Sequence, residues 1–271
     1  MNKITILGCG TSTGVPILGC KCQVCQSNEI RNKRFRTSAV IELPDKKRLL
    51  IDASPDLRTQ LLSARIDSLD AVLITHDHAD HTHGMDDLRP FGFIRKTALP
   101  VYTDPHCAQS LKGKFPYIFD REKFFKNKEI LGGGIPLLDL EEIQEGSRKI
   151  LDQDFEFFFL PHGHIQTIGL RHGKMAYVVD CESLPETVLN RLTEAQLELL
   201  IIDCLRPKPH QTHLHFDKTI EYIQRIKPKT AVLTHLGHEW DYLNLMNNLK
   251  QHGVKNTFPA IDGASFYYSS F

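Results

Sequence analysis

Short apolar runs that stop on a metal-capable side chain restrict this sequence more than any other feature. RLLID ends on Asp52, VLITH on His76, FFLPH on His162, AYVVD on Asp180 and AVLTH on His235. Runs of this length, rich in Val, Ile, Leu and Phe, read as buried strands rather than helices. KITILG (3–8), SAVIEL (38–43) and LELLIIDC (197–204) read the same way, and helical spacing falls between strands at 55–65, 186–196 and 217–226. The alternation predicts an α/β layered protein with two sheets or one large mixed sheet. Convergent strand ends are how such a protein gathers a site from distant sequence.

The densest group is ITHDHADHTHG, where His76, His78, Asp80 and His81 form H-x-H-x-D-H. Residues at i and i+2 of a helix diverge, so this is not a helical i, i+4 metal pair. A tight loop after a strand can instead turn alternate side chains toward two neighbouring centres, and imidazole with carboxylate suits zinc, iron or manganese. A solvated polar loop would not explain why His162, Asp180 and His235 also close apolar runs. Together they make five His and two Asp, enough for two metals with positions open to water.

GCKCQVC sets Cys20, Cys22 and Cys25 close together. Three thiolates can wrap a tetrahedral ion, and soft donors favour zinc over a set of plain reduced thiols or a redox pair. The fourth ligand is missing locally, and His238 lies three residues beyond His235. Cys9, Cys107, Cys181 and Cys204 are isolated and read as ordinary buried cysteines.

Two close divalent ions can activate water at neutral pH and offset charge on a phosphoryl oxygen. A departing alkoxide then needs a proton donor, and HQTHLHF offers His210, His213 and His215. HGMDDLRPF adds Arg89, which could grip a phosphate bidentately or orient the metal loop through a salt bridge.

Lys+Arg and Asp+Glu both number 33, so the formal net charge is zero, and a dedicated nucleic-acid binder is not expected. The seven cysteines, an odd count, fit a reducing cytosol. MNKITILGCGTSTG carries no long apolar segment, and no run approaches membrane-spanning length, so neither signal peptide nor membrane span is expected. Residues 108–150 are less regular and read as a connecting lobe within a single domain of 1–271.

H-x-H-x-D-H followed by a later His, Asp and His resembles the metallo-β-lactamase superfamily, and the likeness runs from the first strand to THLGH. It implies an αβ/βα sandwich of two mixed sheets flanked by helices. It also implies His76, His78 and His162 on one divalent ion, Asp80, His81 and His235 on the other, and Asp180 bridging. His164 competes with His162 for its place. Asp52 would support the metal histidines, and Asp80 would be catalytic as well as a ligand.

The C-x-C-x-x-C stretch paired with THLGH resembles one branch, the cyclic ribose phosphodiesterases of the carbon–phosphorus lyase pathway. That likeness implies a structural zinc on Cys20, Cys22, Cys25 and His238, two catalytic zinc or manganese ions, and His213 as the proton donor that also binds substrate. The implied activity is hydrolysis of a small nucleotide or ribose phosphodiester, cyclic ones included. A tRNA 3′-processing endoribonuclease and a non-catalytic metal-binding protein are the alternatives. The oligomeric state is left open, a homodimer among the options.

Overall fold

The computed structural model describes residues 1–121, 124 and 134–270. Part of the sequence lobe, including Leu131, Gly132 and Gly133, lies outside the described residues. Among the described residues, no helix is long and apolar enough to cross a membrane.

The apolar runs form two sheets of seven strands each, both mixed. The first contains β1 (Asn2–Gly8), β2 (Ser38–Glu42), β3 (Arg48–Ile51), β4 (Ala71–Leu73), β5 (Leu99–Thr103) and β6 (Leu138–Glu142) in that spatial order, with β14 (Ser265–Tyr268) outside β1. The second runs from β7 (Gly146–Ile150) through β8 (Gln153–His162), β9 (Ile165–His172), β10 (Met175–Val178), β11 (Leu199–Asp203) and β12 (Thr230–Thr234) to β13 (Thr257–Pro259). In each sheet the outer hairpins are antiparallel, whereas β3 to β6 and β10 to β13 are parallel.

The central strands bury both faces, because helices cover the outside of each sheet, whereas the edge strands β6, β7 and β14 leave alternate residues exposed or half-buried. Leu49, Ile51, Ala71 and Leu73 point inward to a core shared with Phe155, Phe157, Ile168 and Tyr177 of the other sheet. Their neighbours Leu50 and Val72 point outward, against Leu57 and Leu61 of the helix Leu57–Ser63. On the far side Leu200, Ile202 and Leu233 meet apolar faces of the helices Glu186–Glu194, Phe216–Ile226 and Tyr242–Gln251. Full burial contributes roughly 1.5–3 kcal/mol per large aliphatic side chain, so the layering is over-determined. The expected αβ/βα sandwich is the observed fold, and the choice between one sheet and two resolves to two.

His172 belongs to this core rather than to the site. It is 2% exposed, stacks on Phe155 with centroids 4.4 Å apart, and shares a 2.9 Å hydrogen bond with the Tyr268 hydroxyl. Burial pushes its imidazole down to about 4. An unfolded histidine titrates near 6.5, so between these values the unfolded chain binds more protons and stability rises with pH. The contribution should be complete above about pH 6.5 and fall by up to about 3 kcal/mol as pH drops toward 4. Urea unfolding of wild type and His172→Gln across that window measures it. Identical pH dependence in the two proteins would refute the assignment.

Candidate metal centre

Three site residues sit just past strand ends in left-handed backbone: Asp52 (φ 63°), Asp180 (φ 56°) and His235 (φ 56°). Positive φ is uncommon for residues other than glycine, and Asp and His tolerate it better than branched residues do. Each chain turns off its strand abruptly, which keeps the side chain at the common end of the two sheets. The H-x-H-x-D-H loop arrives from β4, His162 closes β8, and Asp180 follows β10.

Two donor groups result. In one, His76 Nε2 lies 3.0 Å and His162 Nε2 lies 3.3 Å from His78 Nδ1. In the other, Asp80, His81, Asp180 and His235 converge, with His81 Nε2 3.2 Å from Asp80 and His235 Nε2 2.9 Å from Asp180 Oδ1. Asp180 Oδ2 faces His81 Nε2 and also lies 3.7 Å from His76 Nε2, so one carboxylate stands between both groups. His76, His78 and His162 thus form one set of close donor atoms and Asp80, His81, Asp180 and His235 another, with Asp180 facing both.

The donor set fits metal ions on two physical grounds. A tetrahedral ion bonded at about 2.0–2.1 Å to nitrogen sets its donors roughly 3.3 Å apart, close to the spacing of the His76, His78 and His162 nitrogens. Five of the seven buried side-chain polar atoms without a hydrogen bond among the described residues also lie here. They are His81 Nε2, Asp180 Oδ1, Asp203 Oδ1 and both ring nitrogens of His235. An unmet buried polar atom costs about 1–3 kcal/mol, and a cation between them answers several at once.

The opposite edges of most rings are already occupied, which fixes their orientation. His81 Nδ1 lies 2.7 Å from Asp52 Oδ2, and Asp52 in turn accepts from the Thr75 amide and hydroxyl. Thr75 Oγ1 is 3.0 Å from His76 Nδ1, and His162 Nδ1 donates to the Thr212 carbonyl at 2.9 Å. From outside, Ser110 and Lys114 bond the carboxylate of Asp77, and the Tyr117 hydroxyl donates to Asp86. The regular part of the sequence lobe thus clamps the metal loop at two points.

Electrostatics follow from the burial. Desolvation holds His76, His78 and His162 below the ordinary histidine value, the neutral form a metal needs. Burial opposes charge on His81 as well, but Asp52, Asp180 and Asp80 outweigh it and raise its pKa. Asp80 is held down to about 2, where burial is overcome by His81.

His213 stands beside the second group. Its ring stacks on His235 at 4.8 Å, and its Nδ1 lies 3.2 Å from Asp203 Oδ2. Burial lowers its pKa, but the hydrogen bond and charge of Asp203 raise it overall. His213, Asp180, Asp203 and His235 also form a third set of close donor atoms. Sequence reading missed Asp203, although it closes the LELLIID run just as Asp180 closes AYVVD.

A cavity of about 460 Å³ opens over these groups, lined by Asp80, Asp180, His162, His213 and His235 together with Ser12, His164 and Gln211. His164 is at the exposed β8–β9 turn, so His162 and not His164 joins the donor group. Arg89 is a correction. It is exposed, reaches toward the Gly134 carbonyl at 3.5 Å, and does not line this cavity. The turn Met85–Leu88, anchored by buried Met85 and Leu88, carries it outward. His215 precedes the helix Phe216–Ile226, and His210 Nδ1 lies 3.2 Å from the Thr212 amide.

The cysteine group also converges. The thiols of Cys20, Cys22 and Cys25 lie 3.4, 3.6 and 3.6 Å from His238 Nδ1. Bonds of about 2.3 Å to sulfur and 2.0–2.1 Å to nitrogen around a tetrahedral zinc set those atoms roughly 3.5 Å apart. The Cys25 amide donates to the Cys22 sulfur and, as the largest cause, holds its pKa down to about 6, while burial pushes Cys25 up to about 11.

A two-sheet αβ/βα sandwich with paired His/Asp donor groups at one end defines a metal-dependent hydrolase fold. Residues 47–236 match the family model described as beta-lactamase superfamily domain, and the chain belongs to that metallo-β-lactamase family. A solved structure of a diphosphatase from the PhnP family is similar at TM-score 0.88 and 31% identity, covering 100% of this chain and 99% of that one. An octanoyltransferase of Porphyromonas gingivalis is 38% identical over 238 residues, 87% of this chain and 46% of that protein. The chain thus spans about half the length of that curated relative, and about a third of the coenzyme PQQ synthesis proteins B it also matches. Human tRNase Z, short form, shares the fold at TM-score 0.61 and 16% identity, covering 98% of both chains.

The two kinds of site should part under chelation. Mixed His/Asp sites open to water exchange metal more readily than a closed thiolate site, so mild chelation should remove activity before it lowers the melting temperature. The double variant Cys22→Ser/Cys25→Ser should lose about one equivalent of zinc and several degrees of Tm. Full zinc content at unchanged Tm in that variant would remove the structural-zinc assignment.

Proposed function

We propose that this protein is a two-metal phosphodiesterase acting on small ribose phosphodiesters, cyclic ones included. The observation that carries the reading is Asp180, shared by two donor groups that open into the same cavity as His213. Zinc or manganese suits donors of this mixture. When bound, two such ions would supply a nucleophile from water at neutral pH and offset charge on the phosphoryl oxygens.

The chain's own residues do the rest. Asp203 accepts from His213 Nδ1 and favours the protonated ring, in which Nε2 carries a proton that can pass to the departing ribose oxygen. Asp80 stays ionised and lines the cavity, where it serves as a ligand and as an acceptor toward entering water. Asp52 and Thr75 keep the imidazoles of His81 and His76 from turning.

The diphosphatase relative supports phosphoryl chemistry at such a centre. Equal numbers of acidic and basic residues favour a small substrate over a large RNA. Seven free cysteines fit the reducing cytosol as the place of action.

The test turns on how badly the leaving oxygen needs a proton. Ribose alkoxide is a poor leaving group, whereas p-nitrophenolate departs unaided. His213→Ala should lose about 10²–10⁴-fold on a cyclic ribose phosphodiester, with a much smaller loss on bis(p-nitrophenyl) phosphate and both catalytic metals retained. Equal losses on the two substrates would mean that His213 binds the phosphoryl group. Loss of a metal equivalent would place it with Asp180, Asp203 and His235 as a ligand.

A further inference from the structure

A second cavity adjoins the catalytic one across the β8–β9 turn. Its volume is about 660 Å³, and Gly163, His164 and Ile165 line both spaces. Its far wall comes from the other sheet, through Asp104 and His106 after β5. The space therefore lies between the sheets at the end that carries the donor groups.

The turn that divides the two cavities is held in place. His162 pairs with Ile165, leaving Gly163 and His164 as a two-residue hairpin connection with Gly163 at φ 62°. Glycine at the first central position is what a type II′ turn requires. A side chain there would also meet Thr212 Cγ2 at 2.9 Å. Thr212 is the residue whose carbonyl orients His162, so the turn, the donor group and the second cavity share one support.

The lining indicates what the cavity takes. Phe159 and Pro161 present half-buried apolar faces, while His106 and Gln166 are exposed at the rim. Asp104 accepts from the His106 and Cys107 amides, which fixes the start of that wall. Among the described residues no Lys or Arg lines the space, which disfavours a second phosphate there. Apolar faces of Phe159 and Pro161 beside the Asp104 carboxylate and the side chains of His106, His164 and Gln166 suit a neutral or donor-rich heterocycle rather than an anion, because a base offers a stacking face and a hydrogen-bonding edge.

We infer that this cavity seats the nucleobase of a nucleoside phosphodiester whose phosphorus occupies the neighbouring cavity. The inference rests on the phosphodiesterase reading and narrows its substrate class. His106 and Gln166 then determine specificity without touching the reacting atoms.

The test compares metal-loaded wild type with the double variant His106→Ala/Gln166→Ala. Two substrates with the same leaving group serve: adenosine 5′-(p-nitrophenyl phosphate) and methyl p-nitrophenyl phosphate. Wild type should prefer the adenosine ester at least about tenfold in kcat/KM, mainly through KM, and the variant should lose roughly that factor from the ratio. Equal use of both esters by wild type, or an unchanged ratio in the variant, would overturn the inference. If wild type hydrolyses neither ester, the phosphodiesterase reading has failed separately, and calorimetric titration with AMP decides the cavity. AMP binding that weakens about tenfold in the variant supports the base site, whereas no binding, or equal binding, overturns it.

Discussion

A carboxylate only 2% exposed, placed where two sheets meet, is the constraint on which the site depends. An isolated buried anion would be neutralised rather than tolerated. Asp180 is instead held well below the usual carboxylate range, because His235 and His81 outweigh its burial. Those two histidines come from different sheets, His81 after β4 and His235 after β12. Satisfying one charge therefore requires both halves of the sandwich to be in register. The same requirement makes the site sensitive to small shifts between layers, which the shared core of Ile4, Leu49, Phe155 and Tyr177 resists.

The N-terminal segment adds a second layer of constraint. Arg34 is buried, and its guanidinium donates to the carbonyls of Gly237 and Trp240 and to Asn32. Asn32 in turn donates to Asp241, and Leu236 and Cys9 pair through their backbones. The loop that carries His235 and His238 is thus gripped along its length by residues 9–36. Zinc held by Cys20, Cys22, Cys25 and His238 would close this grip through the N-terminal segment. One short loop would then answer to two kinds of metal site, with soft donors stabilising its fold and hard donors serving chemistry.

Much of the site was legible because its residues break a pattern. A His or Asp that ends an apolar run is conspicuous, and Asp52, His76, His162, Asp180 and His235 all stand at such places. The strands of an α/β layered protein were legible too, since strands buried on both faces read as continuous apolar runs, whereas their division into a two-sheet sandwich came only with the family resemblance. Asp203 carried the same signal and went unread because it lies beside Cys204 in a longer run. The clamp of Lys114 and Ser110 on Asp77 left no local trace, because a bond across 33 residues has no sequence period. Arg89 misled for the converse reason. Nearness in sequence to the metal loop says nothing about direction once a tight turn intervenes.

Parallel pairing explains why the second donor group and His213 lie together. In β10, β11 and β12, Val178 pairs with Ile202, and Asp203 with Thr234. The three strands therefore deliver Asp180, Asp203 and His235 to one edge, about 4.8 Å apart from strand to strand. The outer two turn into left-handed backbone and face the donor group, whereas Asp203 ends its strand without that turn. Its carboxylate meets a histidine supplied by the loop that follows. That loop is closed at its base, where the Leu205 amide donates to Leu214 and the Phe216 amide to Arg206. Closure returns His213 over the strand it left, ten residues after Asp203. The middle strand thus contributes the carboxylate that holds His213, and the strands on either side contribute Asp180 and His235 to the donor group that also includes Asp80 and His81. Adjacent acidic and imidazole groups acquire different tasks through backbone direction alone.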